Sequence, residues 1–123
     1  MLADLLRLSR AAGMKTSGDG VDIIFQDERR QRIEIDTSES GSVRLWAVVA
    51  RRASITRIED PLMVACRNRV SELVGFDIDR MGRLMGECWI PAVALTVEEW
   101  ALYLQNFADA CDRVEYLLTG ADG

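Results

Sequence analysis

Both ends of the chain repeat apolar side chains at intervals of three and four residues, the period of an amphipathic helix. The first repeat covers residues 2–12 and stops at Gly13. The second begins after Thr96, where Glu99 completes a capping box, and stops at Gly120. The pattern predicts a short N-terminal helix and a long C-terminal helix, each with one apolar face.

Between these helices apolar and polar residues alternate, the period of half-buried strands. The alternation predicts three strands, over residues 21–25, 32–36 and 43–52, joined by polar turns. A hairpin over residues 76–90 turns at Gly82 and adds two more strands. Because the turns between successive strands are short, we expect antiparallel pairing.

A third helix is predicted between the third and fourth strands. Asp60 is an N-cap acceptor and Pro61 fits the first helical position, so the helix should run to about Leu73. Residues 15–20 are expected to form a polar loop. The complete prediction is one α+β domain over residues 1–123, a five-stranded antiparallel sheet with three helices in the order α-β-β-β-α-β-β-α.

Strand alternation places most apolar side chains on one face of the sheet, the inner face. These residues are Val21, Ile23, Phe25, Ile33, Ile35, Val43, Leu45, Ala47, Val49, Phe76, Ile78, Leu84, Cys88 and Ile90. The third and fifth strands carry large apolar side chains on the outer face too: Trp46 and Val48 on one, Met85 and Trp89 on the other. An apolar patch of this kind needs cover. Either the middle helix covers this patch, or a second subunit or a partner protein covers it. The two explanations also combine, since the middle helix can cover the patch and form the dimer contact itself.

We therefore predict a dimer or partner surface that combines this patch with the apolar side of the middle helix. Its residues are Trp46, Val48, Leu62, Cys66, Val70, Leu73, Met85 and Trp89. Tryptophan and methionine are enriched at protein interfaces, although they also fill cores.

The amino-acid composition of the chain limits the kinds of partner that it can bind. The chain holds 15 Lys and Arg against 20 Asp and Glu, a net charge of −5. An acidic protein is a poor partner for nucleic acid, whose binding relies on cationic side chains, and no apolar run is long enough to cross a bilayer. Cys66, Cys88 and Cys111 lie far apart among apolar neighbours, so we expect free thiols in the core of a cytoplasmic protein.

No motif predicts catalysis, a cofactor or a metal. The chain has no histidine, so no serine or threonine has an evident base. Asp77 and Asp79 could hold a hard cation, but no third ligand is near in sequence, and a solvated strand face is preferred. The alternative hypothesis, a small-molecule-binding protein or carboxylate-based enzyme with a pocket on the sheet, also depends on this pair.

Two groups of arginines are candidate anion sites, but acidic neighbours or a position at a strand end favour a solvated surface instead. They are Arg29, Arg30 and Arg32 at a hairpin tip, and Arg51, Arg52 and Arg57 after the third strand.

Residues 60–118 contain a series of glycines, alternating strand positions and helix signals. The series is Asn68, Gly75-Phe76-Asp77-Ile78-Asp79, Gly82-Arg83-Leu84, Ile90-Pro91, Leu95-Thr96, Trp100, Leu104, Phe107 and Asp109. It resembles the class I type III secretion chaperones and is similar to the YbjN-type sensory transduction regulators of bacteria. The first sixty residues match these families in element order only.

The resemblance implies a small, acidic, cytosolic homodimer without a catalytic centre. It also implies that a chaperone of this kind holds a partner polypeptide in apolar grooves, and that the middle helix often forms the dimer contact. We therefore expect a non-enzymatic, homodimeric, cytoplasmic protein-binding module whose partner is another protein, without cofactor, nucleic acid or membrane.

Overall fold

The computed structural model describes residues 1–71, 73–91 and 93–120. Over these residues the elements are α1 (Leu2–Ala11), β1 (Lys15–Ser17), β2 (Gly20–Ile24), β3 (Arg30–Asp36), β4 (Ser42–Ala50), α2 (Arg52–Ile55), α3 (Pro61–Arg67), β5 (Gly75–Ile78), β6 (Leu84–Pro91) and α4 (Val97–Thr119). The α+β class is confirmed, but the described chain has six strands and four helices instead of five and three.

All six strands belong to one antiparallel sheet with the order β1-β2-β3-β4-β6-β5. The first four strands follow chain order as a meander, in which each strand pairs with the next. The hairpin of β5 and β6 then joins through β6, which pairs with β4 along nearly its whole length. The antiparallel pairing expected from the short turns is therefore confirmed.

The additional elements are short. Lys15–Ser17, expected in a loop, pairs with β2, where Thr16 lies opposite Val21. A three-residue strand is below the usual strand length and has too few alternating positions to be recognised in a sequence. The third predicted strand ends at Ala50 instead of Arg52, because Arg52–Ile55 forms one helical turn that buries Ile55.

The middle helix is about half as long as predicted. The predicted start of this helix is confirmed, because Asp60 is its N-cap and Asp60 Oδ1 accepts the Met63 N–H at 3.1 Å. Its end is not at Leu73: α3 ends at Arg67, and the Asn68 side chain donates to the Val64 carbonyl at 2.8 Å. An asparagine side chain that takes a carbonyl of the last turn competes with the backbone and favours termination there.

This helix does not cover the outer face of the sheet. It packs against β5 and α4, and α4 lies on the inner face, so α3 is on the inner side as well. Trp89 on the outer face is 46% exposed in the single chain. The first of the two expected explanations, in which α3 lies over the tryptophans, is therefore wrong.

The core lies between the inner face of the sheet and α1 with α4. The predicted α4 stripe is buried from Trp100 through Val114, and most predicted inner-face residues are buried as well. Phe25, Phe76 and Ile78 are the exceptions, since they are half-buried near the sheet ends. The predicted core position of Cys66 is also wrong: on the short α3 its side chain faces solvent.

Helix α4 approaches the sheet closely at Gly86. A Cβ atom at this position would lie 2.8 Å from Cys111 Sγ and 3.4 Å from Val49 Cγ2. Real Cβ atoms do not come this close to another heavy atom, so only glycine permits this packing of α4 on β6.

A buried hydrogen-bond chain joins the two long helices. The Trp100 indole Nε1–H donates to Ser9 Oγ at 2.7 Å, and the Ser9 hydroxyl donates to the Leu5 carbonyl at 2.8 Å. Trp100 and Ser9 are both fully buried. Ser9 lies on the buried face of α1, and its hydroxyl supplies the acceptor that a buried indole N–H needs.

We expect Ser9→Ala to destabilise the fold. The substitution leaves the Trp100 N–H buried without an acceptor, which costs about 1–3 kcal/mol of the free energy of unfolding. Urea unfolding of the variant should show this loss, while Ser40→Ala at an exposed loop position should unfold like the wild type. Equal stabilities of Ser9→Ala and the wild type would contradict the structural role of this hydrogen bond.

Candidate functional site

The outer face of the sheet carries a compact group of aromatic and charged side chains. Antiparallel pairing sets Arg44 opposite Trp89 and Trp46 opposite Glu87. Val48 pairs with Met85 at the next outer-face position of the same two strands. We call these six residues the outer-face cluster.

Polar contacts fix the side chains of the cluster. Arg44 Nε forms an ion pair with Glu87 Oε2, and its guanidinium lies 5.7 Å from the ring centroid of Trp46. The other carboxylate oxygen of Glu87 accepts the Trp89 indole N–H at 3.0 Å. The charges are thus paired and the indole donor of Trp89 is satisfied, so the cluster presents aromatic surface in a fixed arrangement.

The remaining predicted association residues form a second surface. Leu62 is half-buried and packs against the core, whereas Cys66, Val70 and Leu73 are exposed. Val70 is 60% and Leu73 67% exposed, and Met63, which the prediction omitted, is exposed on the same short helix. We call Met63, Cys66, Val70 and Leu73 the α3 patch.

The eight predicted residues are therefore divided between two places. Trp46, Val48, Met85 and Trp89 lie together on the outer face, and the rest lie on or after α3, on the inner side of the sheet. The prediction also omitted Arg44 and Glu87, which hold the aromatic rings in place. Strand alternation alone places both on the outer face, but their pairing depends on the β4–β6 register.

The α3 patch continues into an apolar groove with a volume of about 260 Å³. The groove lies between the segment after α3, strand β6 and the first half of α4. Its apolar lining is Leu73, Val74, Cys88, Leu102, Tyr103 and Phe107. It extends the apolar surface of the α3 patch towards α4.

Comparison with known proteins identifies the fold. No protein-family model and no curated protein sequence matches the chain. Among solved structures, a chain of the ExsC–ExsE complex is similar with a TM-score of 0.63 and 20% identity, covering 98% of both chains. A chain of the HopA1–SchA chaperone–effector complex has a TM-score of 0.58 and 16% identity over 95% of this chain and 91% of that chain. YbjN from E. coli has a TM-score of 0.61 and 14% identity over 94% of this chain and 88% of its own.

The protein has a type III secretion chaperone-like fold. The resemblance inferred from residues 60–118 is confirmed at the level of the fold, and the similarity extends over nearly the whole chain. YbjN has the same fold.

The alternative hypothesis of a small-molecule site or carboxylate-based enzyme depends on Asp77 and Asp79. Both residues line an open pocket of about 390 Å³ on the outer face of the sheet. Asp79 is occupied by its own turn: Oδ1 accepts the N–H groups of Met81 and Arg83 at 2.9 Å each, and Oδ2 accepts from Arg83 Nε at 2.8 Å. Hydrogen bonds from Arg83 hold the pKa of Asp79 below its ordinary value. A general acid at neutral pH needs the opposite shift, so Asp79 orders the turn at Gly82 instead.

The cysteine thiols offer no nucleophile in the interior. Burial raises the pKa of Cys88, with the charge of Glu87 adding to the effect. Burial raises the pKa of Cys111 far more, since the thiol of this α4 residue is enclosed between the helix and Gly86 of the sheet. Both groups are neutral thiols at physiological pH, and a neutral thiol is a weak nucleophile.

Within residues 1–71, 73–91 and 93–120, no three His, Cys, Asp or Glu side chains come together in a way that could hold a metal ion. No helix in the same ranges is both long and apolar enough to cross a bilayer.

We expect the ionised Asp79 carboxylate to stabilise the turn between β5 and β6. Because its pKa is lowered in the folded state, its contribution is present above the ordinary carboxyl pKa of about 3.9 and is lost as the pH falls through the lower folded value. Asp79→Asn should therefore lower the Tm at pH 7, and the difference from the wild type should shrink in acid. Glu59→Gln, at an exposed position, serves as the control. A deficit of Asp79→Asn that is independent of pH would contradict this role.

Proposed function

We propose that the protein is a non-enzymatic, chaperone-like protein that holds a segment of another polypeptide and works as a homodimer in the cytoplasm. The observation that carries the proposal is the outer-face cluster, in which Trp89 is 46% exposed and Trp46, Val48 and Met85 are half-buried in the single chain. The fold supports it, because the similar chains come from an ExsC–ExsE complex and from a chaperone–effector complex.

The outer-face cluster is suited to binding a polypeptide. Exposed tryptophan is the side chain most enriched at energetically important interface positions. The Trp89 N–H is already satisfied by Glu87, so a partner can cover the indole without leaving a donor unpaired. Because Arg44 and Glu87 fix the rings before binding, little conformational entropy is lost when the partner arrives.

We assign the homodimer contact to the α3 patch. Its exposed side chains form a run of apolar surface from α3 to the apolar groove, and such surfaces mark protein association sites. Two copies related by a two-fold axis bring the same patch together from both sides. The outer-face cluster of each copy then stays available to a partner.

Charge in the middle of the α3 patch is expected to separate the subunits. Leu73→Glu places a carboxylate at the edge of the apolar groove, where a buried unpaired charge is costly. Light scattering at tens of micromolar should show a dimer for the wild type and a monomer for the variant. Val93→Glu, at a position that is 76% exposed, provides the control and should remain dimeric. A monomeric wild type, or a dimeric Leu73→Glu, would exclude the assigned contact.

Loss of Trp89 is expected to weaken partner binding while the dimer is retained. Removal of a central interface tryptophan costs about 2 kcal/mol or more, roughly a thirtyfold loss of affinity. Affinity capture from a lysate of the source organism should recover a polypeptide reproducibly with the wild type and much less of it with Trp89→Ser.

The control for this experiment is Leu117→Ser, which removes an exposed apolar side chain from α4 and should capture the polypeptide like the wild type. Equal recovery with Trp89→Ser would remove the outer-face cluster from the proposal. If instead Trp89→Ser became monomeric, the outer face and not the α3 patch would form the dimer contact.

A further inference from the structure

The sheet contains an opening between two of its central strands. Strands β3 and β4 pair from Asp36↔Arg44 to Glu34↔Trp46, and the pairing ends there. Continued in the same register, it would set Gln31 opposite Val49. Each strand stays paired on its other side, β3 with β2 as far as Arg30 and β4 with β6 as far as Ala50. The two strands therefore diverge as a fork.

An extra residue in β4 explains the divergence. Val48 pairs with Met85, but the next pair of the β4–β6 ladder is Ala50 with Leu84, so Val49 is a β-bulge. Val49 and Ala50 are both buried, which breaks the alternation of the strand. A bulge bends its strand and increases the local twist, and this bend accounts for the separation of β4 from β3.

A cavity of about 420 Å³ occupies the fork. Side chains of both sheet faces line it: Gln31 and Val49 belong to the inner face, and Arg30 and Val48 to the outer face. Side chains from opposite faces line one cavity here because the start of β3 and the end of β4 are not paired with each other. The cavity also reaches Arg51, which follows β4 directly.

One residue that lines this cavity holds a buried acceptor without a donor. Gln31 is only 4% exposed, and its Nε2 donates to the Arg32 carbonyl at 3.3 Å. Its Oε1 has no hydrogen-bond partner among the described residues. Buried side-chain acceptors are nearly always paired, and an unpaired one is costly. Gln31 Oε1 therefore calls for an N–H or O–H donor inside the fork.

The mouth of the fork is positively charged. Two of its arginines are engaged, since Arg29 pairs with Asp27 and Asp112, and Arg32 pairs with Asp22 and Glu34.

Arg30 and Arg51 have no ion-pair partner in the part of the chain that the structure describes. Two acidic residues also line the cavity. Glu28 is exposed, and Glu115 is engaged in an interaction of its own. A cationic excess in a chain of net charge −5 favours an anionic ligand.

We propose that the β3–β4 fork binds an anionic group that carries its own hydrogen-bond donor, such as a carboxylate beside an N–H. Gln31 Oε1 accepts the donor, and Arg30 and Arg51 hold the anion. An acidic residue of a polypeptide and a free acid share this chemistry. The site is separate from the α3 patch and meets the outer-face cluster only at Val48, so it goes beyond the function proposed above.

The full chain, labelled with ¹⁵N, should be titrated with N-acetyl-aspartate, with succinate as the matched ligand without the N–H. The side-chain amide signal of Gln31, assigned by its loss in Gln31→Leu, reports binding in the fork. We expect saturable shifts with N-acetyl-aspartate and about fivefold weaker binding of succinate, the effect of one neutral hydrogen bond. The capped peptide acetyl-Gly-Asp-Gly-Gly-amide distinguishes the sources: tighter binding of the peptide indicates a polypeptide ligand, and equal or weaker binding indicates a free acid.

Variants test the assigned contacts. Gln31→Leu should remove the preference for N-acetyl-aspartate over succinate with little change in Tm, because it removes an unpaired buried acceptor together with the long Nε2 hydrogen bond to the Arg32 carbonyl. Arg30→Gln and Arg51→Gln should each weaken binding of both ligands severalfold and reduce its salt dependence, whereas Arg57→Gln, an exposed arginine that does not line the cavity, should not.

Three results would overturn the proposal: no saturable shift with any of the probes, an unchanged preference in Gln31→Leu, or a crystal structure of the wild type with N-acetyl-aspartate in which only a water molecule satisfies Gln31 Oε1. The function proposed above is tested independently, because Trp89→Ser leaves the fork intact and should bind N-acetyl-aspartate like the wild type.

Discussion

The burial of the α4 stripe on the inner face of the sheet is the constraint on which the remaining structure depends. At its N-terminal end, the Trp100 indole donates to Ser9, which in turn donates to α1, so the two helices are held together in a dry interior. Further along, Cys111 lies against the bare backbone of Gly86. The buried hydrogen bond of Trp100 and the close contact at Gly86 both depend on how α4 docks, so each favours the observed position of the helix on the strands.

This docking decides which face of the sheet is free. Antiparallel sheets commonly cover one face with helices and leave the other to solvent. Because α1, α3 and α4 all lie on the inner side, these helices do not cover the large outer-face side chains of β4 and β6. The shortness of α3 has a similar effect, since the chain after Arg67 leaves the helix and exposes Val70 and Leu73 beside the groove. Both candidate association surfaces thus follow from where the helices dock and end.

Much of this architecture is predictable from periodicity. The long stripe and the two end signals of α4 predict that helix from cap to cap, and strand alternation finds Trp46 and Trp89 on the outer face. The length of α3 is not predictable in this way, because its apolar spacing continues beyond Asn68 while side-chain hydrogen bonding ends the helix there. Strand β1 is too short to show a period. The ion pair of Arg44 with Glu87 joins residues far apart in sequence, so it depends on a register that no local pattern contains. The buried Gln31 acceptor becomes visible only once the bulge at Val49 is known.

The position of α4 in the chain has a consequence for biosynthesis. The meander β1–β4 is complete by residue 50, but the helix that shields its apolar side spans residues 97–119 and leaves the ribosome later. Until then, the apolar side chains that α4 will cover stay exposed on the nascent strands, and surfaces of this kind make incomplete chains aggregate. The order of the elements in the chain thus makes the interval before α4 is complete a stage at which the protein is prone to aggregate.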